Sequence, residues 1–373
     1  MVVGLKLKTK LTLAWVSMVL FALVSMPVLS SVPSASSQYQ LLIYPDDGIK
    51  SLIRMIHGAK KTIDVVIYEF TQNDLANALI EAEQRGVHVR VMLQPKPFKS
   101  EGVNVRIIKK FLSAGVEMTG TDPVYANTHQ KTMVIDGQMA VVMSFNFTLS
   151  TFRQQRNLAL VTMNPKDIAE IEAVFNADWQ RKKFSGLVQP HLIWSPANSR
   201  DKIVKFIRSS QHSLIVYMQD FTDLAVAKEL VKRSQAGINV QVLLPVDRVK
   251  KNFSVSTLLA CNGVDVRLDT AHYIHAKAML SDYMRDTEQS FVGSMNFTFY
   301  GLDRNRELGI ALTDRNVDKS LQQVFLSDWQ ASNVFECDHE AWQKLQADTA
   351  KWNQLRLDEK QRTGAEQAAS HSL

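Results

Sequence analysis

Cysteine is nearly missing from this chain of 373 residues: Cys261 and Cys337 are all there is. That excludes a cysteine-built metal site and a multi-bridge disulfide scaffold, and leaves one bridge or two free thiols open. Histidine and the carboxylates do not make up for it. They form no cluster at metal-ligand spacing along the sequence, so neither a metal nor another cofactor is expected. No sign of charge dominates either. The formal charge is +6, and Lys6, Lys8 and Lys10 supply three of it, so the chain beyond its N-terminus carries +3. Such a mild excess fits nucleic acid, anionic lipid or neither. A basic stripe interleaved with aromatics is also lacking, which leaves a nucleic-acid partner with little support.

One long uncharged run is present, Leu11 to Leu29, behind the three lysines and ahead of a small-residue stretch, Ser30 to Ser37. Residues 1–36 therefore read as a secretory signal, with Pro27 and the small residues favouring cleavage near Ser36, or else as an uncleaved anchor. Either version puts the rest of the chain outside the cytoplasm of a bacterial host, periplasmic or secreted. At the other end, residues 336–373 read as a C-terminal helix and a polar tail. Trp342, Leu345, Trp352 and Leu355 form an apolar side there, to pack on the domain or to touch a membrane.

Between these ends the sequence occurs twice. His129-Gln130-Lys131 with Asp136 returns as His275-Ala276-Lys277 with Asp282. Ser144-Phe145-Asn146-Phe147-Thr148 returns as Ser294-Met295-Asn296-Phe297-Thr298. The similarity extends further. Ile63 to Thr71 parallels Leu214 to Thr222, Gly86 to Leu93 parallels Gly237 to Leu244, and Asp178-Trp179-Gln180 parallels Asp328-Trp329-Gln330. Copies this long mean duplication of a domain. The lobes are expected over 40–186 and 190–335, with the boundary among Gly186, Pro190 and Pro196. Both motifs lie in one chain, so a monomer is expected to hold a complete site.

Each half reads as helix, strand, helix, strand. Ile49 to Ile56 and Asn73 to Gln84 have helical spacing, while Ile63 to Tyr68 and Val87 to Leu93 are β-rich. Ile107 to Leu112 adds a helix, and Asp136-Gly137 reads as the turn of a hairpin. Alternating strands and helices predict α/β lobes with mixed, largely parallel sheets flanked by helices.

The motif residues suit phosphoryl chemistry. Imidazole is a nucleophile or a general acid near neutral pH. A lysine two positions along a strand shares its face, and its ammonium neutralises phosphate oxygens. Ser144, Asn146, Ser294 and Asn296 are candidate donors to the same oxygens. Lys96, Lys99, Arg248, Lys250 and Lys251, in loops after strands, either draw in an anion or are solvated surface. Tyr125, Tyr273, Phe297 and Tyr300 either line an acyl groove or are packed core.

With its two HKD motifs, the chain resembles the phospholipase D superfamily over roughly Tyr44 to Trp329. The resemblance implies two similar lobes related by pseudo-twofold symmetry, with the site between them. It also implies phosphodiester cleavage through a phosphohistidine, with no metal. His129 is then the nucleophile, His275 the acid, and Lys131 and Lys277 the phosphate clamps. Asp136 and Asp282 belong to the catalytic motifs but hold the motif turn. Two departures stand out. Gly293 precedes Ser294 as in the family, but Met143 precedes Ser144 and is expected to reshape the first lobe. The histidine-supporting carboxylate is Glu307 in the second half but Asn157 in the first. If these supports cross between lobes, Glu307 serves His129 and Asn157 serves His275. A phospholipid or membrane surface is the expected substrate, hydrolysed as by phospholipase D to phosphatidic acid. Nucleic acid, cut by an exported nuclease, and cardiolipin-synthase-like phosphatidyl transfer are the alternatives. An inactive binding protein also stays open.

Overall fold

Ile63, Val65 and Ile67 occupy alternate positions of one β-branched run, and all three are fully buried. That spacing commits a face of the strand to a core. The computed structural model describes residues 37–347. The signal or anchor expected over 1–36, and Trp352 and Leu355 of the tail, lie outside the described residues. Among those residues, no helix is long and apolar enough to cross a membrane.

The first half runs β1 (Tyr39–Tyr44), α1 (Lys50–Gly58), β2 (Thr62–Ile67), α2 (Asn73–Gln84), β3 (His88–Leu93), α3 (Val105–Ser113), β4 (Glu117–Gly120), β5 (Thr132–Ile135), β6 (Met139–Met143), β7 (Gln155–Thr162) and α4 (Pro165–Trp179). The second runs β8 (Leu192–Ser195), α5 (Ser199–Ser209), β9 (Ser213–Met218), α6 (Leu224–Gln235), β10 (Asn239–Pro245), α7 (Val249–Ala260), β11 (Asp265–Asp269), β12 (Tyr273–Ile274), β13 (Lys277–Ser281), β14 (Gln289–Gly293), α8 (Phe299–Asp303), β15 (Glu307–Leu312), α9 (Arg315–Gln330) and β16 (Asn333–Val334). The first sheet has the order β1-β7-β6-β5-β2-β3-β4. The second, β8-β15-β14-β13-β9-β10-β11, repeats it and adds β16.

The sheets are mixed, but they are not largely parallel. Along these two orders, parallel pairing occurs within β2-β3-β4 and β9-β10-β11, where a helix separates successive strands, and the short β12 adds a parallel pairing with β7. The other neighbours along each order are antiparallel. The physical reason is connection length. A parallel crossover needs a dozen residues or more, whereas the turn from β5 to β6 allows only antiparallel return.

That turn is at Asp136-Gly137, both in the left-handed region at φ 54° and 62°. The Asp136 carboxylate accepts from the backbone N–H groups of Lys60, Lys61 and Thr62 at 2.8, 2.6 and 2.9 Å. Asp282, at φ 53°, does the same for Gln211, His212 and Ser213. Burial opposes ionisation of Asp136, but the backbone donors outweigh it and hold the carboxyl below its ordinary range.

Three cores follow. Ile63, Val65 and Ile67 pack against Leu52, Leu79 and Phe111 of the first helical layer. Leu214, Val216 and Met218 meet Ile203, Leu230 and Leu259 of the second. Between them, Val142, Leu160 and Ile171 of one half share a core with Ala278, Val292 and Phe325 of the other. The lobes are thus fused face to face. Cys261 and Cys337, 76 residues apart, form a disulfide. Trp342 and Leu345, in helical residues 339–347, pack on the second lobe's core.

Two buried ion pairs cross the middle core. Arg306, beside β15, grips Asp178 at the end of α4 with contacts of 2.8 and 2.9 Å. Arg156 on β7 grips Asp328 near the end of α9 with contacts of 2.7 and 3.0 Å. This explains the recurrence of Asp-Trp-Gln in the sequence. Removing one partner strands a buried charge, which costs about 3–5 kcal/mol. Asp178→Ala should therefore lower unfolding stability by that order in a denaturant titration. An unchanged midpoint would rule out the pair as an inter-lobe clamp.

Candidate active site

The backbone ahead of each motif lysine is held by the opposite lobe. His129 and Gln130 donate their N–H groups to the Arg306 carbonyl at 2.9 and 2.8 Å. His275 and Ala276 donate to the Arg156 carbonyl, both at 2.9 Å. Next to these carbonyls sit Glu307 and Asn157, and their side chains cross as well. Glu307 lies 2.9 and 3.0 Å from Nδ1 of His129, and the Asn157 Oδ1 lies 2.9 Å from Nδ1 of His275. With Nδ1–H donating to these oxygens, each ring carries its lone pair on Nε2. Both histidines and Glu307 line one cavity of about 1100 Å³.

Ser144 and Ser294 do not face that cavity. Both are fully buried. The Ser294 hydroxyl donates to Glu307 at 2.6 Å and accepts from the Leu308 N–H, while Ser144 does likewise for Asn157 and Leu158. They fix the groups that orient the histidines, so the reading of them as phosphate donors is corrected. A strand places alternate residues on one face, but here the serine turns back to the next strand of its own sheet. Asn146 and Asn296 do line the cavity. Asp136 and Asp282 do not; they sit at the turns described above.

Lys131 and Lys277 are fully buried behind the histidines. Lys131 Nζ donates to the His129 carbonyl and lies 5.3 Å from the Tyr68 ring centroid. Lys277 Nζ donates to the His275 carbonyl at 2.6 Å and reaches the Ser144 carbonyl at 3.2 Å. Burial pushes the Lys131 ammonium down to about 7, against the pull of Glu307 and Glu69. Burial and the Lys131 charge push Lys277 well below its usual range. Burial also lowers His129, with Glu307 opposing. His275 falls well below its usual range through burial and then through Lys277, Lys131, His129 and Arg248. The site has more cationic capacity than negative charge to balance it, and an entering anion relieves all four groups.

Glu69 and Asp220 line the same cavity and escaped the sequence reading. Glu69 accepts from Asn146 at 3.3 Å, and Asp220 binds Lys251 at 2.7 Å. The signal was available, since both sit at one position of the repeated run before Phe-Thr. Lys99, Arg248 and Lys251 reach the cavity wall, but Lys96 and Lys250 do not line it. Of the four aromatic candidates, Tyr273 and Tyr300 line the cavity. Phe297 is core, and Tyr125 stacks on the Arg306 guanidinium.

Met143 does not reshape the site. It is fully buried in the first lobe's core, opposite Ala159. In the second lobe Gly293 faces Gly309, and a Cβ on Gly293 would stand 2.7 Å from the Gly309 Cα and 3.0 Å from the Phe291 ring. Phe291 fills there the space that Val141 leaves for Met143 in the first lobe, a volume exchange of the kind cores tolerate.

Known proteins resemble this chain in sequence and fold. The family model described as "Cardiolipin synthase, PLD-like domain" matches twice, over residues 52–179 and 203–329. The cardiolipin synthase A of Shigella boydii is 23% identical, over 77% of this chain and 68% of that protein. A mitochondrial cardiolipin hydrolase of Chlamydomonas reinhardtii is 28% identical over 126 residues, 34% of this chain; the match spans 55% of that protein's length. The crystal structure of a phosphatidylserine synthase from Haemophilus influenzae superposes with a TM-score of 0.62 at 12% identity, covering 86% of this chain and 94% of that one. The chain belongs to the phospholipase D superfamily, as a member with both motif copies in one polypeptide. It falls among that superfamily's phosphodiester-acting enzymes.

Three outcomes follow from the charges. Binding of a phosphate-ester anion near neutral pH should take up protons, because a negative charge raises the depressed lysine and histidine pKa values. Calorimetry in buffers of different ionisation enthalpy reads this directly, and zero uptake would contradict it. Glu307→Gln removes the group that opposes the fall of the His129 pKa and weakens the imidazole. Turnover should drop by roughly 10²–10⁴-fold, by analogy with the neutralised carboxylate of a catalytic triad. Asn157→Asp places a carboxylate on His275, raising its pKa, and should move the alkaline limb of the pH–rate profile upward.

Proposed function

We propose that the protein cleaves phospholipids as a phospholipase D does, in two steps at one phosphorus atom. His129 Nε2 attacks phosphorus, and a protonated His275 gives its Nε2 proton to the departing headgroup oxygen as that P–O bond breaks. Water then loses a proton to His275 and attacks the phosphohistidine, returning His129 and releasing phosphatidic acid. The observation that carries this division of labour is the unequal crossed support. A carboxylate on Nδ1 makes His129 the more basic ring, while the Asn157 amide only orients His275. Burial, and then the surrounding cations, hold the His275 pKa well below its usual range, so its proton arrives with the anionic substrate, whose charge offsets those cations.

The lipid reading draws support from the rim. Phe98 and Tyr300 line the mouth at 71% and 60% exposure, with Phe299 beside them at 53%. Lys99 and Arg304 flank these rings. Exposed aromatics beside cations suit the interface of an anionic bilayer. Relatives named for cardiolipin point the same way. If the second acceptor is an alcohol instead of water, the same phosphohistidine yields phosphatidyl transfer, the reading that the cardiolipin synthase match favours. The protein is exported in this scheme, with the Cys261–Cys337 bridge suited to an oxidising compartment, and it acts as a monomer because both histidines come from one chain.

Two measurements test the proposal. His129→Ala should abolish covalent labelling by a radiolabelled phospholipid while His275→Ala retains some; labelling only in the His129 variant would reverse the roles. Vesicles of phosphatidylcholine, phosphatidylethanolamine or phosphatidylglycerol should yield phosphatidic acid, and cardiolipin from phosphatidylglycerol would show transfer. Cleavage of plasmid DNA with every lipid untouched would overturn the lipid reading in favour of an exported nuclease.

A further inference from the structure

Away from the two motif histidines, three side chains distant in sequence converge on one point. Asp269 ends β11, His272 follows in the loop to β12, and Asp328 lies in the last turn of α9. Their nearest ligand atoms all lie within 4.8 Å of one another. Asp269 is fully buried. Its Oδ1 accepts the N–H groups of Ala271 and His272 at 2.7 and 2.9 Å, but its Oδ2 has no hydrogen-bond partner. The buried Nδ1 of His272 has none either. A buried polar atom left unpaired costs free energy, and here two such atoms point at each other across a gap.

The gap has the wrong size for a proton. His272 Nδ1 stands 3.9 Å from Asp269 Oδ2 and 3.8 Å from Asp328 Oδ1. A shared proton would draw it to one oxygen, to about 2.7–2.9 Å. Near-equal separations instead leave room for an ion between three ligands, which needs each to close by a few tenths of an ångström to reach about 2.0–2.2 Å from the metal. Asp328 can still contribute. Its Oδ2 accepts from Arg156 and Tyr217 at 2.7 and 2.6 Å, but its Oδ1 accepts only Arg156 Nη2 at 3.0 Å and keeps a lone pair. Charge asks for a cation as well. Arg156 is shared by Asp328 and Asp46, whereas His272 is the one cation-capable group in ion-pair range of Asp269 among the described residues.

We infer that Asp269, His272 and Asp328 form a binding site for a transition-series divalent cation of the Zn²⁺ type. One imidazole and two carboxylates suit such an ion, and the imidazole disfavours Ca²⁺ and Mg²⁺, which take oxygen ligands. His272 is partly exposed, so water completes the coordination. The site has no counterpart in the first half, where Thr121 and Val124 occupy the matching positions. Its role is structural. It pins the loop that leads into Tyr273 and His275 onto α9, and through Arg156 onto the strand that carries Asn157. Chelators would then lower the thermal stability of the fold, while the phosphoryl steps proposed above run through His129 and His275.

The test uses the full chain, stripped with chelator and titrated with Zn²⁺, with Ca²⁺ as the control. One equivalent of Zn²⁺ should bind and raise the thermal midpoint by a few degrees, as a ligand of the folded state does, and Ca²⁺ should do neither. Loss of a direct ligand should cost at least the roughly 10–100-fold that loss of an outer-shell partner costs, in both His272→Ala and Asp269→Asn. His275→Ala should keep the uptake. Zn²⁺ binding that survives both ligand substitutions, that vanishes in His275→Ala, or that never reaches one equivalent would overturn the site. None of these outcomes bears on the lipid assay, so the two proposals fail separately.

Discussion

Everything at the centre of this protein depends on an exchange between lobes. Arg306 and Arg156 each leave their own sheet to grip an aspartate on the other lobe's long helix, with both members of each pair nearly buried. A buried guanidinium–carboxylate pair gains little net stability over an apolar pair of the same volume. What it supplies is direction, since a bidentate fork tolerates only one orientation. The carbonyls of these same arginines receive the motif histidines' backbone N–H groups, and the next residues, Glu307 and Asn157, receive the imidazoles. One crossing thus sets the lobe interface, the path of the motif backbone and the tautomer of each ring.

The fusion has an electrostatic consequence. Bringing the copies together buries two lysines and two histidines in one place, and that burial, together with the charges of the two lysines, lowers the proton affinity of both histidines. Glu307 offsets part of this for His129, and nothing comparable acts on His275. The site therefore favours an anion, whose charge raises the depressed pKa values of these groups. Duplication alone would give a symmetric pair of bases; the change of one carboxylate to an amide gives the pair distinct characters.

Much of this was legible in the chain. The repeat gave the number of lobes, the identity of the site and even its asymmetry, because aligning the halves sets Glu307 against Asn157. Element types followed from periodicity, and Asp136-Gly137 marked its turn through the left-handed backbone it requires. Less legible was anything that depends on which strands become neighbours. Parallel pairing was overestimated because a sequence shows helices between strands but not the order in which a sheet assembles. The two serines looked like donors to substrate because nothing local reveals that their hydroxyls turn inward. Met143 looked like a perturbation of the site because the compensating loss of an aromatic ring, Phe291 in one lobe and Val141 in the other, lies on the same strand face but not beside it in sequence.

The sequence by itself determined the chemistry, since imidazole, ammonium and carboxylate at fixed spacing carry their reactivity wherever they fold, and a duplicated set announces a shared centre. Only the tertiary structure decided the partnerships. Glu307 meets His129 across 178 residues, Cys261 meets Cys337, and Asp269 and His272 meet Asp328. Such contacts depend on how two sheets pack face to face, and that packing is a property of buried surfaces from the whole chain, which no local pattern encodes.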